Sequence, residues 1–232
     1  ALHDDWAWAF DTHQPAGGYS PDAQSSGQRA LANLALSMLV LDAQASGDTV
    51  WPGKAYQRFK DAGNMTDRFG ALSALVNAHA ELAVPALERF HALFKGEALV
   101  IDKWFALQAG ASEPVGEHAG RVFARAKALL QHADFSLRNP NRARSVLAAL
   151  FLNNPAAFHR RDAAGYVFWA ERVCEVDAIN PQLASRLARA LDRWRALAEP
   201  YRSAAREAIA RVAAKPELSE DTREIVTRAL QD

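Results

Sequence analysis

The stretch Asn180-Pro181-Gln182-Leu183-Ala184-Ser185-Arg186-Leu187-Ala188-Arg189-Ala190-Leu191-Asp192-Arg193-Trp194-Arg195-Ala196-Leu197-Ala198 decides the fold class. Asn180 offers a capping side chain, and Pro181 stands at a first helical position, where its missing N–H costs nothing and its φ is already fixed. Leu183, Leu187, Ala190, Leu191, Trp194 and Leu197 then recur at helical spacing as one apolar stripe. Arg189 and Arg195 point well away from it. Arg186 and Arg193 fall on its border, roughly 60–80° from its centre at 100° per residue. A border arginine ordinarily lays its stem over the core and keeps its charge in water. The periodicity predicts a helix over 181–198.

The same punctuation recurs at Asn139-Pro140 and Asn154-Pro155, and Gly47, Gly63, Gly96 and Gly110 follow periodic stretches where a helix can stop. With 49 alanines and no alternating run of strand length, the chain reads as all-α. Helices are expected at about 21–46, 50–62, 65–82, 85–95, 98–109, 114–132, 140–153, 163–178, 181–198, 200–214 and 219–231. Starts near 21 and 65, 98 and 140, and 140 and 181 repeat every 41 to 44 residues or so, the period of HEAT or armadillo helical pairs. That period points to an α-solenoid, with a compact orthogonal bundle as the alternative.

The chain has 232 residues, with 27 basic and 27 acidic side chains and a formal charge of zero. Neutrality argues against a nucleic-acid coat or an anionic membrane as partner. The zero conceals an asymmetry: residues 1–116 carry 13 acids and 8 bases, whereas 117–232 carry 14 acids and 19 bases, 17 of them Arg. Arginine forks suit carboxylates, whether in salt bridges or in a ligand. Cys174 is the one cysteine and lies in an apolar helix, so an inert thiol in a reducing compartment is the simpler reading. No run approaches the ~18 apolar residues of a membrane span. The start at Ala1, without an initiator Met or an apolar leader, reads as the cut edge of a longer protein.

Catalytic motifs are missing from the sequence. None of the seven histidines pairs with another three or four residues away, H-E-x-x-H is absent, and there is no phosphate loop or G-x-S-x-G elbow. Phe69, Phe90, Phe94, Trp104, Phe105, Phe123, Phe151, Phe168, Trp169 and Trp194 lie within helical patterns, where core packing is their default.

Several blocks are more particular than generic helices. Asn64-Met65-Thr66-Asp67-Arg68 with Ala71-Leu72-Ser73-Ala74-Leu75, then Val100-Ile101-Asp102-Lys103-Trp104-Phe105, then Arg138-Asn139-Pro140-Asn141-Arg142-Ala143-Arg144-Ser145, then Asn154-Pro155-Ala156-Ala157-Phe158-His159, then Asn180-Pro181-Gln182-Leu183-Ala184-Ser185-Arg186-Leu187 occur in that order. Together they resemble the C-terminal helical domain of bacterial aminopeptidase N. The resemblance runs from about Tyr19 to the C-terminus, so residues 1–18 are expected to be a flexible lead-in and 19–232 the domain.

The resemblance implies a piece of a cytoplasmic zinc metalloaminopeptidase that removes N-terminal residues from peptides. Its zinc would be held by H-E-x-x-H and a further Glu in a catalytic domain upstream, leaving no metal site here and an inactive fragment. The helical domain would be an armadillo-like superhelix that packs on that catalytic domain, encloses the active site and limits access to peptides. By the same resemblance, Arg144 and Arg186 would face the cavity near the C-terminal side of bound peptide. Internal salt bridges are the alternative for both arginines, and an independent solenoid adaptor binding a peptide or a partner protein is the alternative for the chain.

Overall fold

The computed structural model describes residues 2–231, and every regular element among them is helical. The chain forms two compact units, the first running to Glu97 and the second beginning at Ala98.

The first unit is built on α2 (Ala23–Ser46), preceded by α1 (His3–Thr12) and followed by α3 (Val50–Asp61), α4 (Met65–Asn77) and α5 (Ala83–Phe94). α2 packs against α1 and α4, and α3 lies on α4. Asp22 and Asn64 cap α2 and α4 by accepting the Ser25 and Asp67 N–H groups. Arg68 closes α3 at its other end, donating to the carbonyls of Phe59, at 2.8 Å, and of Ala62.

Two expectations for this unit are corrected. The flexible lead-in contains a helix over His3–Thr12, because Trp6, Ala9 and Phe10 recur at helical spacing and turn inward. Phe10 meets Trp51 of α3 edge-on at 5.7 Å, and His3 Nδ1 lies 2.8 Å from Asp42 Oδ2 of α2. The helix expected over 65–82 stops at Asn77, because His79 takes a left-handed φ of 54° and the Ala80 N–H turns back to the Leu75 carbonyl.

The second unit holds α6 (Ala98–Ala109), α7 (Arg121–Leu129), α8 (Pro140–Phe151), the single turn α9 (Pro155–Phe158), α10 (Ala164–Asp177), α11 (Pro181–Ala188), α12 (Tyr201–Ala213) and α13 (Glu220–Gln231). The starts of α6, α8, α11 and α13 preserve the period of about forty residues. α6 packs on α8, α8 on α11 and α11 on α13, while α7, α10 and α12 cover them. The asparagines act as their position before proline predicts. Asn139, Asn154 and Asn180 accept N–H bonds from the first turns of α8, α9 and α11.

Side chains that bind backbone and hydroxyl groups of distant elements hold this unit together. Buried Asn154 also donates from Nδ2 to the carbonyls of Ala109 and Ala111, fixing the end of α6. Buried Asp177, at the end of α10, accepts from Ser219 N, Ser219 Oγ and Thr222 Oγ1, seating the start of α13. Each bond satisfies a group that would be costly to bury unpaired.

Tertiary contacts also explain two shifted boundaries. α7 begins at Arg121 rather than near 114, because the Glu113 carboxylate accepts the N–H groups of Gly120, Val122 and Phe123 and caps the helix there. The helix expected over 181–198 ends at Ala188 and continues as 3₁₀ turns at Arg189–Leu191 and Trp194–Ala196. The Trp169 indole takes the Leu187 carbonyl at 2.9 Å, and the Trp194 indole reaches the Ala229 carbonyl at 2.8 Å. The tighter turns keep Leu191 and Trp194 buried while satisfying both indoles. Of the aromatic side chains expected in the core, Phe69 and Phe94 are half-buried and the others are buried.

Candidate functional site

Arg144 and Arg186 stand on two helices of the second unit that pack against each other, α8 and α11. The Asn139 carboxamide fixes the start of α8, with its Oδ1 accepting from Asn141 N at 3.1 Å and Arg142 N at 3.2 Å. From that cap the helical period sends Arg142 and Arg144, two residues apart, about 200° apart around the axis. Arg142 turns inward and is buried, whereas Arg144 is exposed. Asn180 sets α11 in the same way, accepting from Leu183 N at 3.0 Å. Leu183, Ala184, Leu187 and Ala188 fill the buried face, and Arg186 is exposed.

Neither Arg144 nor Arg186 lies within ion-pairing distance of a carboxylate among the described residues. Arg144 Nη2 donates instead to the neutral Asn141 Oδ1 at 3.1 Å. The internal salt bridge that the sequence left open for this block belongs to its neighbour, Arg142, whose Nε donates to Asp102 Oδ1 at 2.5 Å. Two exposed guanidiniums without a counter-ion offer planar N–H forks to a carboxylate or a peptide carbonyl. The unit that carries them has 20 bases and 16 acids, so its field adds to theirs.

Elsewhere in this unit, three buried or half-buried side chains have pKa values moved by their surroundings. Burial pushes the Cys174 thiol up, with Asp177 adding to the shift and Lys215 and Arg211 opposing it, as expected for an inert thiol. Burial lowers His159, and it pushes Tyr166 up to about 12, with Tyr201 contributing. His159 Nδ1 lies 2.9 Å from the Tyr166 hydroxyl. The donor set of the aminopeptidase zinc site, H-E-x-x-H, does not occur in the sequence, so these residues do not fit that metal centre.

Short capped helices, stacked so that each alternate helix packs on the next after about forty residues, define an armadillo-type helical-repeat protein. The family described as "Domain of unknown function (DUF3458_C) ARM repeats" matches residues 1–231, and the chain belongs to that family. It is 37% identical over 214 residues to aminopeptidase N of Caulobacter vibrioides, covering 92% of this chain and 24% of that protein. It is 34% identical over 212 residues to aminopeptidase N of Escherichia coli K12, covering 91% and 23%. Among solved structures, Legionella pneumophila aminopeptidase A in complex with aspartic acid superposes with a TM-score of 0.85 at 27% identity, covering 99% of this chain and 26% of that one. The chain therefore spans about a quarter of the length of these relatives. The resemblance to the C-terminal helical domain of bacterial aminopeptidase N, read from five sequence blocks, is borne out.

Asn141, which holds Arg144, had no role assigned from sequence.

Proposed function

We propose that this chain is the C-terminal domain of a cytoplasmic zinc metalloaminopeptidase, where it covers the active site, limits entry to peptides, and uses Arg144 and Arg186 to hold the C-terminal side of the substrate. The observation that carries the reading is the pair of exposed, uncompensated arginines on packed helices, at the positions singled out by the resemblance. Its partners are its own upstream catalytic domain and peptide substrates. Zinc, held by residues outside this chain, would supply Lewis-acid polarisation of the scissile carbonyl and an activated water.

The work of this chain is orientation. A peptide entering amino-end first presents its carboxylate, or its later carbonyls, to the two guanidiniums. Fixing that end limits how the cleaved bond can move, and positioning of this kind contributes substantially to peptide turnover. A single-residue amide ends at the cut bond and gains nothing from the arginines.

Replacing Arg186 with Ala in the complete enzyme tests this reading. Loss of a charge-assisted contact is expected to lower kcat/KM about tenfold for tripeptides, and much less for a single-residue amide. Equal losses on both substrates would remove the positioning role.

A further inference from the structure

A cavity of about 340 Å³ opens between α10 and the segment joining α7 to α8. It stands at the small end of the ~300–1,000 Å³ range of ligand clefts, a size for one small molecule. Both of its walls are held in place. In the joining segment the Phe135 N–H donates to the His132 carbonyl at 2.8 Å, the Asn139 N–H donates to the Ser136 carbonyl at 3.3 Å, and Arg142 takes the Asp134 carbonyl. On α10, Arg172 Nη1 donates to Glu175 Oε2 at 2.6 Å, and the guanidinium lies over the Phe168 ring at 5.5 Å. The two side chains are still 25% and 44% exposed, so both remain open to a ligand.

The lining combines three chemistries. Phe135, Leu137 and the exposed Ile179 supply an apolar wall. Arg138, exposed on the joining segment, and Arg172 supply guanidinium forks. Glu175 supplies a carboxylate in the last turn of α10, where the partial negative charge of the helix end adds to it. An uncharged apolar molecule would cover the wall and desolvate the ions without replacing their water. A simple carboxylate would meet Glu175 as a like charge. A molecule with a carboxylate, an ammonium group and an apolar body answers all three parts of the lining.

We propose that this cavity is a binding site for a free α-amino acid with an apolar side chain. Its carboxylate is taken by Arg138 and Arg172, its ammonium group by Glu175, and its side chain by Phe135, Leu137 and Ile179. The inference stands on the cavity alone, and not on the role proposed above for Arg144 and Arg186.

The test is equilibrium dialysis of radiolabelled leucine against the full-length protein, with any leucine site in the catalytic domain blocked by a saturating aminopeptidase inhibitor. One leucine per chain is expected to bind, with a Kd on the order of 1 mM, as suits a ligand of this size. Leucinol lacks the carboxylate, isocaproate the ammonium group and glycine the side chain, and each is expected to compete at least about threefold less well than leucine. Arg138→Gln is expected to weaken leucine about tenfold and leucinol less than about twofold. Glu175→Gln is expected to weaken leucine about threefold while tightening isocaproate, because it removes the partner of the ammonium group and releases Arg172 to the carboxylate. Opposite changes for two ligands of one shape are not what local unfolding produces, since that would weaken both. Absence of saturable leucine binding under the inhibitor, or binding that neither variant alters, overturns the inference. Isocaproate binding as tightly as leucine also overturns it, since Glu175 would then recognise no ammonium group.

Discussion

Arg142 Nε donates to Asp102 Oδ1 at 2.5 Å, fastening α8 to α6 between residues 40 apart in sequence. The two side chains are 8% and 13% exposed. The same guanidinium donates from Nη1 to the Asp134 carbonyl and lies over the Phe105 ring at 4.8 Å, so a second donor and its flat face are also used. Such a pair gives specificity of packing, whereas removal of one member strands a charge. Asp102→Ala is expected to cost about 3 kcal/mol. Adding Arg142→Met is expected to recover a large part of that loss. Urea unfolding of the two single variants and the double measures the coupling. An additive double variant would mean that the pair does not act as a unit.

Gly165, near the start of α10, has no room for a side chain. A Cβ there would lie 2.0 Å from the Phe158 carbonyl oxygen, which is backbone and cannot swing aside. Gly165→Ala is expected to destabilise the chain by about 3 kcal/mol. Gly27, exposed in α2, meets nothing within 4 Å. Gly27→Ala is expected to raise stability by about 0.5–1 kcal/mol, through lower unfolded-state entropy and better helix propensity. Thermal melts of both variants test the opposite signs. A neutral Gly165→Ala would show that α10 sits farther from α9 than the structure has it.

Most helix starts were legible because an amide before a proline is a local signal, and Asn139, Asn154 and Asn180 all act on backbone groups within three residues. Helix ends set by distant partners were not. The break after Ala188 depends on Trp169 and Ala229, and the late start of α7 depends on Glu113. α1 has the required periodicity, but its burial depends on Trp51 and Asp42, which nothing in residues 1–18 announces. The site divides in the same way. The family blocks singled out Arg144 and Arg186, while the assignment of the buried ion pair to Arg142 required the rotation of α8 and the nearness of Asp102.

His159 makes stability depend on pH in a definite direction. Burial beside Phe158 and Tyr166 depresses its pKa, so the unfolded chain takes up a proton before the folded one does. The stabilising contribution is complete above about pH 6.5, the ordinary His value, and is lost as pH falls through the folded pKa. Wild type is therefore expected to lose more melting temperature than His159→Gln between pH 7.5 and 5.5, since Gln can still reach the Tyr166 hydroxyl and does not titrate. Parallel losses in the two proteins would remove His159 as the source of the acid sensitivity in this range, because a carboxylate such as Asp162, held down by the Arg160 hydrogen bond, stays ionised in both states there and loses its contribution only below the ordinary carboxylate range.

The chain by itself is expected to release no leucine from a chromogenic leucine amide. Peptide hydrolysis at neutral pH needs a polarised carbonyl, an activated water and a group to take up the substrate amine. The arginines proposed here act on the opposite end of the peptide. They can orient a substrate, but Arg stays protonated and cannot serve as a general base at neutral pH. Purified chain assayed over a hundredfold concentration range, with and without a chelator, checks this. Turnover that is chelator-sensitive and rises in proportion to the chain would place a hydrolytic centre within these residues and would contradict the proposed division of labour.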